Sequence, residues 1–350
     1  MAPNDRSILA AAARGEQVDG AIDAATVRLA ATERMSGVLA HFAIDPPREL
    51  QMVAAAIHAR ALSLSAELGR VVDAFRAADI PLLALKGPAA SLQLYGHPGL
   101  RLFADLDVIV SEPDTLRSES LLRELGYRDE ERMTAGQRAT KHRFHNGTPF
   151  VNEERATTLD FHWRFGHVQF PLALRFEDAW RRRVELDLTG TPIPALGMTD
   201  LAIFTCSHAA KHFWSPLEML AQIAALARLE LDWREIDRVS VESRAARQVG
   251  LSFLIANDVI GSAIPPIPRC LAASRKVFAK LQERLEQPHD HDAGGRDLFL
   301  ILDRKRDVLA ATAASVFFPT HSDWAAAEMP DAFYWVARPL RLLKARLARR

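Results

Sequence analysis

The sequence predicts an α+β fold: a small mixed sheet flanked by helices, preceded by N-terminal helices and followed by a mostly helical extension. Residues 20–78, and most of the chain after about 170, repeat apolar side chains at helical spacing. Between them, short runs bounded by Gly and Pro alternate apolar and polar residues with the period of a strand. The longest uncharged run, Val308 to Ser322, contains Pro319 and falls short of the roughly 18 residues a membrane-spanning helix needs. The apolar residues therefore belong to a packed core. The patterns divide the chain into segments 1–78, 79–168 and 169–350.

In "ELQMVAAAIHARALSLSAELGRVVDAFRAAD" Ala, Leu, Glu and Arg dominate, and about three helices are expected over 20–78, with Pro46 and Pro47 punctuating a connection. The run "LLAL" (82–85) lies between Pro81 and Gly87, is too short for a buried helix and reads as a strand. Residues 88–95 read as a helix whose first position suits the fixed φ of Pro88. After a Gly/Pro loop, Gly96 to Gly99, a strand is expected over 101–110, and 113–125 return to helical spacing. From 141 to 163 "HRFHNG", a turn at Gly147, "PFVNEE" and "TTLDFHW" read as β structure. A strand-like, Pro/Gly-rich stretch, 184–197, interrupts the helical remainder.

Composition excludes several classes. Lys plus Arg and Asp plus Glu number 44 each, so no overall field favours nucleic acid. The 2 cysteines, Cys206 and Cys270, sit in apolar helical patterns without CxxC spacing, which argues against a disulfide framework or a zinc knuckle and fits a reducing compartment. The first twenty residues carry Asp5, Arg6, Arg14 and Glu16 and lack the apolar core of a signal peptide, so a cytoplasmic location is expected.

The chemistry concentrates in 81–110. Sorted by parity, Leu102, Ala104, Leu106, Val108 and Val110 form an apolar strand face, and Arg101, Phe103, Asp105, Asp107 and Ile109 the other. Asp105 and Asp107 thus stand side by side, where like charges repel unless a cation lies between them. Paired carboxylates on a rigid strand suit Mg²⁺ or Mn²⁺. A half-exposed edge strand whose aspartates face water accounts for one Asp-x-Asp equally well. "TTLDFHW" shifts the balance, because Thr158, Asp160 and His162 share a face and a neighbouring strand would bring Asp160 beside Asp105 and Asp107. Such a trio holds the ions of a phosphoryl or nucleotidyl transfer. Lys86-Gly87, between a strand and a helix, offers backbone N–H groups and a point charge for a phosphate, and Arg101 a planar fork.

The order "LLALKG … LYGHPGLRLFADLDVIV … TLDFHW … HAAKHFWSPLEML" resembles the uncharacterised nucleotidyltransferase family of the DNA polymerase beta superfamily, over roughly residues 25–345. The resemblance implies that 79–168 is a minimal nucleotidyltransferase core, with a metal-dependent transfer from a nucleoside triphosphate. The superfamily's hydrophobic-Gly-Gly/Ser signature is replaced here by Lys86-Gly87-Pro88. Anion donors would then come from Gly87, Ala89 and Ala90, with Lys86 or Ser91 assisting.

His208 and His212 lie four apart on one helical face beside Lys211. No Glu follows His208, which excludes a zinc-protease motif. Recurrence of this helix in the family implies that it lines the cleft and contacts nucleotide or acceptor; internally bonded packing histidines are the plainer reading. His162 orients Asp160 or reaches a phosphate, unless it is a satisfied half-buried histidine. Trp163 and Trp214 read as core anchors, and "QPHDHDAGGRD" (287–297) as a solvated loop. The C-terminal "WVARPLRLLKARLARR" (335–350) is a basic amphipathic helix that touches a membrane surface, an acidic partner or RNA, or else packs through its leucines.

These readings converge on a Mg²⁺- or Mn²⁺-dependent nucleotidyltransferase. Asp105, Asp107 and Asp160 bind metal and catalyse; Lys86, Gly87, Ser91 and Arg101 hold the nucleotide; His162, His208, Lys211 and His212 face the acceptor. The acceptor is expected to be a small molecule, sugar or peptide rather than RNA. The alternatives are an RNA-modifying or toxin-like transferase and a non-catalytic nucleotide-binding protein on the same fold.

Overall fold

The computed structural model describes residues 3–130, 133–285, 298–320, 323–324 and 333–348. Among them, β1 (Leu82–Ala84), β2 (Asp105–Val110), β3 (Arg128–Asp129), β4 (Gly147–Asn152), β5 (Thr157–His162), β6 (Val184–Leu188) and β7 (Thr191–Ala195) form one mixed sheet. Their order across it is β3-β4-β5-β2-β1-β7-β6. β2 runs parallel to β5 and β1 to β7; the remaining neighbours are antiparallel.

Helix α1 (Pro3–Ala13) precedes α2 (Ala24–Thr32), α3 (Ser36–Phe42) and α4 (Arg48–Ala77), the three helices expected over 20–78. The Asp23 side chain starts α2 by accepting the Thr26 amide, and Pro47 precedes α4. Leu64, Leu68, Val71, Val72 and Phe75 recur at three- and four-residue spacing along α4. They pack on Leu106, Val108, Val110, Phe150, Phe161 and Ile193 of the sheet. The even-numbered face of β2 is therefore the core face, as its parity requires.

Gly87, at φ 67°, makes the left-handed step from β1 into α5 (Gly87–Tyr95). Helix α6 (Thr115–Glu124) follows β2, and α7 (Ala135–Phe144) follows β3. A second apolar cluster joins Leu83 and Ile109, from the other side of the sheet, to the C-terminal helices. Those are α8 (Phe176–Arg181), α9 (Met198–Lys211), α10 (Leu217–Arg228), α11 (Trp233–Glu242), α12 (Ala246–Ile260), α13 (Pro268–Leu285), α14 (Leu298–Ile301) and α15 (Lys305–Phe317); α16 (Tyr334–Ala348) contributes no described residue to the cluster. Helix α1 packs on α10 and α12, which joins the N-terminal segment to the helices that follow the sheet. β6 and β7 join through Thr189 and Gly190, both at positive φ, the two-residue turn that matches a hairpin's twist.

Three expectations are corrected. The strand expected over 101–110 begins only at Asp105. Arginine side chains occupy the carbonyls before it: Arg34 Nη2 donates to Leu102 O at 2.8 Å, and Arg60 Nη2 to Ala104 O at 3.1 Å. Residues 141–144, expected as β, close α7, which a capping box between Thr134 and Gln137 initiates. Three leucines of α16 expected to pack, Leu340, Leu342 and Leu343, are exposed. Trp335 against Phe144 and Phe318, and Arg338 on Asp323, anchor the helix instead. The stretch 287–297 lies outside the described residues. Cys206 and Cys270 are buried and unpaired. No helix among the described residues is long and apolar enough to cross a membrane.

Candidate active site

The parallel register of β2 and β5 builds the site. It pairs Asp105 with Thr158, Asp107 with Asp160 and Ile109 with His162, so Asp107 and Asp160 are direct neighbours. Their face of the sheet borders a cleft of about 460 Å³, closed opposite by α9 and by the start of α10. Lys86, Gly87, Arg101, Asp105, Asp107, Asp160, His162, His208, Lys211 and His212 all line this cleft.

Asp107 is the buried centre, 4% exposed. Lys86 Nζ lies 2.8 Å from its Oδ1, and His162 Nε2 lies 3.4 Å from the same oxygen. Asn146 Nδ2 stands 3.3 Å from His162 Nδ1; donating there, it leaves the ring proton on Nε2 for Asp107. A Cβ at Gly147 would lie 2.7 Å from His162 Nδ1, so glycine leaves the imidazole its place.

Burial opposes charge on Asp107, but Lys86 and then His162 outweigh it and hold the carboxyl well below the usual aspartate range. Asp105 and Asp160 go the other way: burial raises both, and the charge of Asp107 raises them further. One lysine thus stabilises one carboxylate of three and leaves two under-compensated, the electrostatic condition of a site that takes up a cation. Lys86 stays above its ordinary value because Asp107, Asp105 and Asp160 overcome its own burial.

Ligand atoms of Asp107, Asp160 and His162 all lie within 4.8 Å of one another, a grouping that can hold a metal ion. Asp105 borders the same cleft outside that grouping. Two carboxylates and an imidazole fit a hard divalent ion such as Mg²⁺ or, better with the nitrogen, Mn²⁺.

The wall opposite the sheet sets histidines beside a single lysine, Lys211. Burial, then Lys86, lowers His208 well below the ordinary histidine value; burial, then Lys211, lowers His212 to about 4 and His167 to about 3. Lys211 is lowered by its enclosure and by Lys86, although Lys211 and His212 both keep an exposed surface in the cleft.

Two expected nucleotide contacts are placed otherwise. Arg101 lines the cleft but lies off the strand, ion-paired through Nε with the buried Glu218. Ser91 is fully buried, its hydroxyl donating to His97 O at 2.8 Å, and is not among the cleft-lining residues. Sequence reasoning missed Arg34, Asn146, His167 and Glu218, all cleft-lining. Glu218 stood in the quoted "SPLEML" without an assigned role; nothing periodic marks the others.

The model of a family described as uncharacterised nucleotidyltransferase matches residues 24–261, well over half of the chain. No curated protein matches. Among solved structures, the crystal structure of ANT(2")-Ia in complex with adenylyl-2"-tobramycin is similar at 14% identity, over 52% of this chain and 97% of that one, with a TM-score of 0.37. The solution structure of the antibiotic-resistance factor ANT(2'')-Ia is similar at 14% identity, over 64% and 96%, with a TM-score of 0.32. Likenesses this distant say nothing of this chain's substrate.

Proposed function

The chain belongs to the uncharacterised nucleotidyltransferase family, and on that premise we propose a metal-dependent transfer of a nucleoside monophosphate from a nucleoside triphosphate to an acceptor bound in the cleft. The observation that carries the reading is the Asp107–Asp160 register with Asp105 on the same face: three carboxylates on one cleft, two of them raised by burial and mutual repulsion. Asp105, Asp107 and Asp160 would hold Mg²⁺ or Mn²⁺, with His162 adjoining. Bound there, the ion supplies the positive charge that offsets the triphosphate as the acceptor oxygen approaches.

Lys86 and the backbone at Gly87, at the start of α5, receive phosphate oxygens. Asp160 takes the proton of the acceptor hydroxyl. The acceptor oxygen bonds to the α-phosphorus as the bond from that phosphorus to the bridging oxygen breaks, and pyrophosphate leaves. The α9 wall, His208, Lys211 and His212, faces the acceptor. A small acceptor fits a cleft of about 460 Å³ better than a folded RNA does.

The test is nucleoside triphosphate binding by calorimetry, with and without Mg²⁺, for the wild type and for Asp105→Ala/Asp107→Ala. Binding that needs both the metal and the aspartates supports the reading. Equal binding by the double variant, or none by the wild type, defeats it.

A further inference from the structure

Arg34 belongs to no motif, yet it lines the cleft at the segment leading into β2. It follows Glu33, the C-cap of α2, at φ 57°. The Arg34 amide donates to Ala31 O at 3.2 Å and the Met35 amide to Ala30 O at 2.7 Å. This is a helix-closing pattern whose left-handed position glycine usually occupies. Strain alone singles out nothing, since Asp79 and Arg244 also take a left-handed step just past a helix. Arg244, however, sends its guanidinium to the Asp307 carboxylate at 3.4 Å.

The Arg34 guanidinium is not consumed in that way. Nη2 donates to Leu102 O at 2.8 Å, Nε is buried without a partner, and the group makes no ion pair among the described residues. Its charge is felt by Asp105 on β2 and by His212 at the end of α9. One N–H pinned on a backbone carbonyl fixes the planar fork and leaves donors for an oxyanion, which a guanidinium matches two at a time. The guanidinium is thus oriented in advance beside the carboxylate trio, in the cleft that Lys86 also lines.

We propose that Arg34 binds the polyphosphate tail of the nucleotide together with Lys86, making the N-terminal helical segment part of the nucleotide site. This rests on the nucleotidyltransferase reading of the same cleft. Lys86 contributes a point charge and Arg34 a directional fork; the tail ties α2 to the approach of β2.

The test compares wild type, Arg34→Gln, Arg34→Lys and Arg34→Gly by calorimetry with Mg²⁺, using a nucleoside triphosphate, inorganic tripolyphosphate and the matching nucleoside monophosphate. Arg34→Gln is expected to weaken the triphosphate and tripolyphosphate by about 10- to 100-fold and the monophosphate by less than about 3-fold. Arg34→Lys falls between. Arg34→Gly shows the same binding loss with an unchanged or higher Tm, because glycine relaxes the left-handed step. A purely structural arginine would instead lower the Tm. Wild-type triphosphate affinity in Arg34→Gln overturns the inference alone, as does an equal loss for triphosphate and monophosphate, or a lowered Tm in Arg34→Gly. A wild type that binds no triphosphate overturns the proposed function and the inference together.

Discussion

Lys86→Met isolates the electrostatic centre of the cleft. Nζ of Lys86 lies 2.8 Å from Asp107 Oδ1, and their side chains are 24% and 2% exposed. At an effective dielectric of about 20 the gross attraction at this separation is about 6 kcal/mol. Removing one partner of a buried pair costs about 3–5 kcal/mol, and the partial exposure of Lys86 together with the remaining His162 donor brings that to about 2–4 kcal/mol. With an unfolding entropy of about 2.1 cal/mol/K per residue over 350 residues, the Tm falls by about 3–5 °C. Mn²⁺ is expected to restore most of this loss, and to raise the variant's Tm by more than the wild type's, because the ion supplies the charge that Lys86 provided. Asp107→Asn added to Lys86→Met should recover at least half of the loss.

The pH dependence has a definite sign. Asp107 is held below its unfolded value, so its stabilisation is complete above about pH 4 and fades as the pH falls towards the folded value. The Tm gap between wild type and Lys86→Met is therefore full at neutral pH and narrows on acidification. Melting curves with and without Mn²⁺ decide the matter. A variant within 1 °C of wild type at pH 7, or a double variant no more stable than the single, would refute the role given to the pair.

Asp160→Asn should leave the metal-free Tm unchanged or raise it at neutral pH, because a carboxyl raised by burial and by Asp107 destabilises the fold when charged. Nucleotidyl transfer, followed as pyrophosphate release, should fall by at least about 100-fold. Arg101→Leu or Glu218→Gln alone should cost about 3–5 kcal/mol by denaturant titration, since each strands a buried charge or its partner; the double Arg101→Leu/Glu218→Leu should cost less than either. Gly147→Ala places a Cβ 2.7 Å from both His162 Nδ1 and Phe161 O. It should cost about 1–3 kcal/mol and weaken Mn²⁺ binding by displacing His162.

Parity along β2 showed that Asp105 and Asp107 share a face opposite Leu106 and Val108, and the same count linked Asp160 with His162. What parity cannot supply is register. The Asp107–Asp160 pairing depends on β5 lying parallel beside β2, which nothing within either strand encodes. The false start of β2 at 101 has a related cause, because the side chains that hold Leu102 and Ala104 come from Arg34 and Arg60. Residues 141–144 misled because histidine, arginine and phenylalanine mimic alternation; the stronger signal was the Thr134–Gln137 capping box upstream. Arg34 was illegible because its role depends on where a helix ends in space.

The long reach of the contacts around the cleft bears on how the protein is made. His162 and Asp107 are 55 residues apart in sequence, and Arg101 and Glu218 are 117 apart. Loops this long close late, because their entropy must be met before any contact between their ends forms. On the ribosome, Lys86 and both aspartates of β2 emerge well before the helix that walls them in. Until α9 and α10 have left the exit tunnel, a nascent chain carries the acidic strand without its enclosure. The cleft is therefore assembled only once the chain through α10 is available to fold, because its lining runs from Arg34 to Met219.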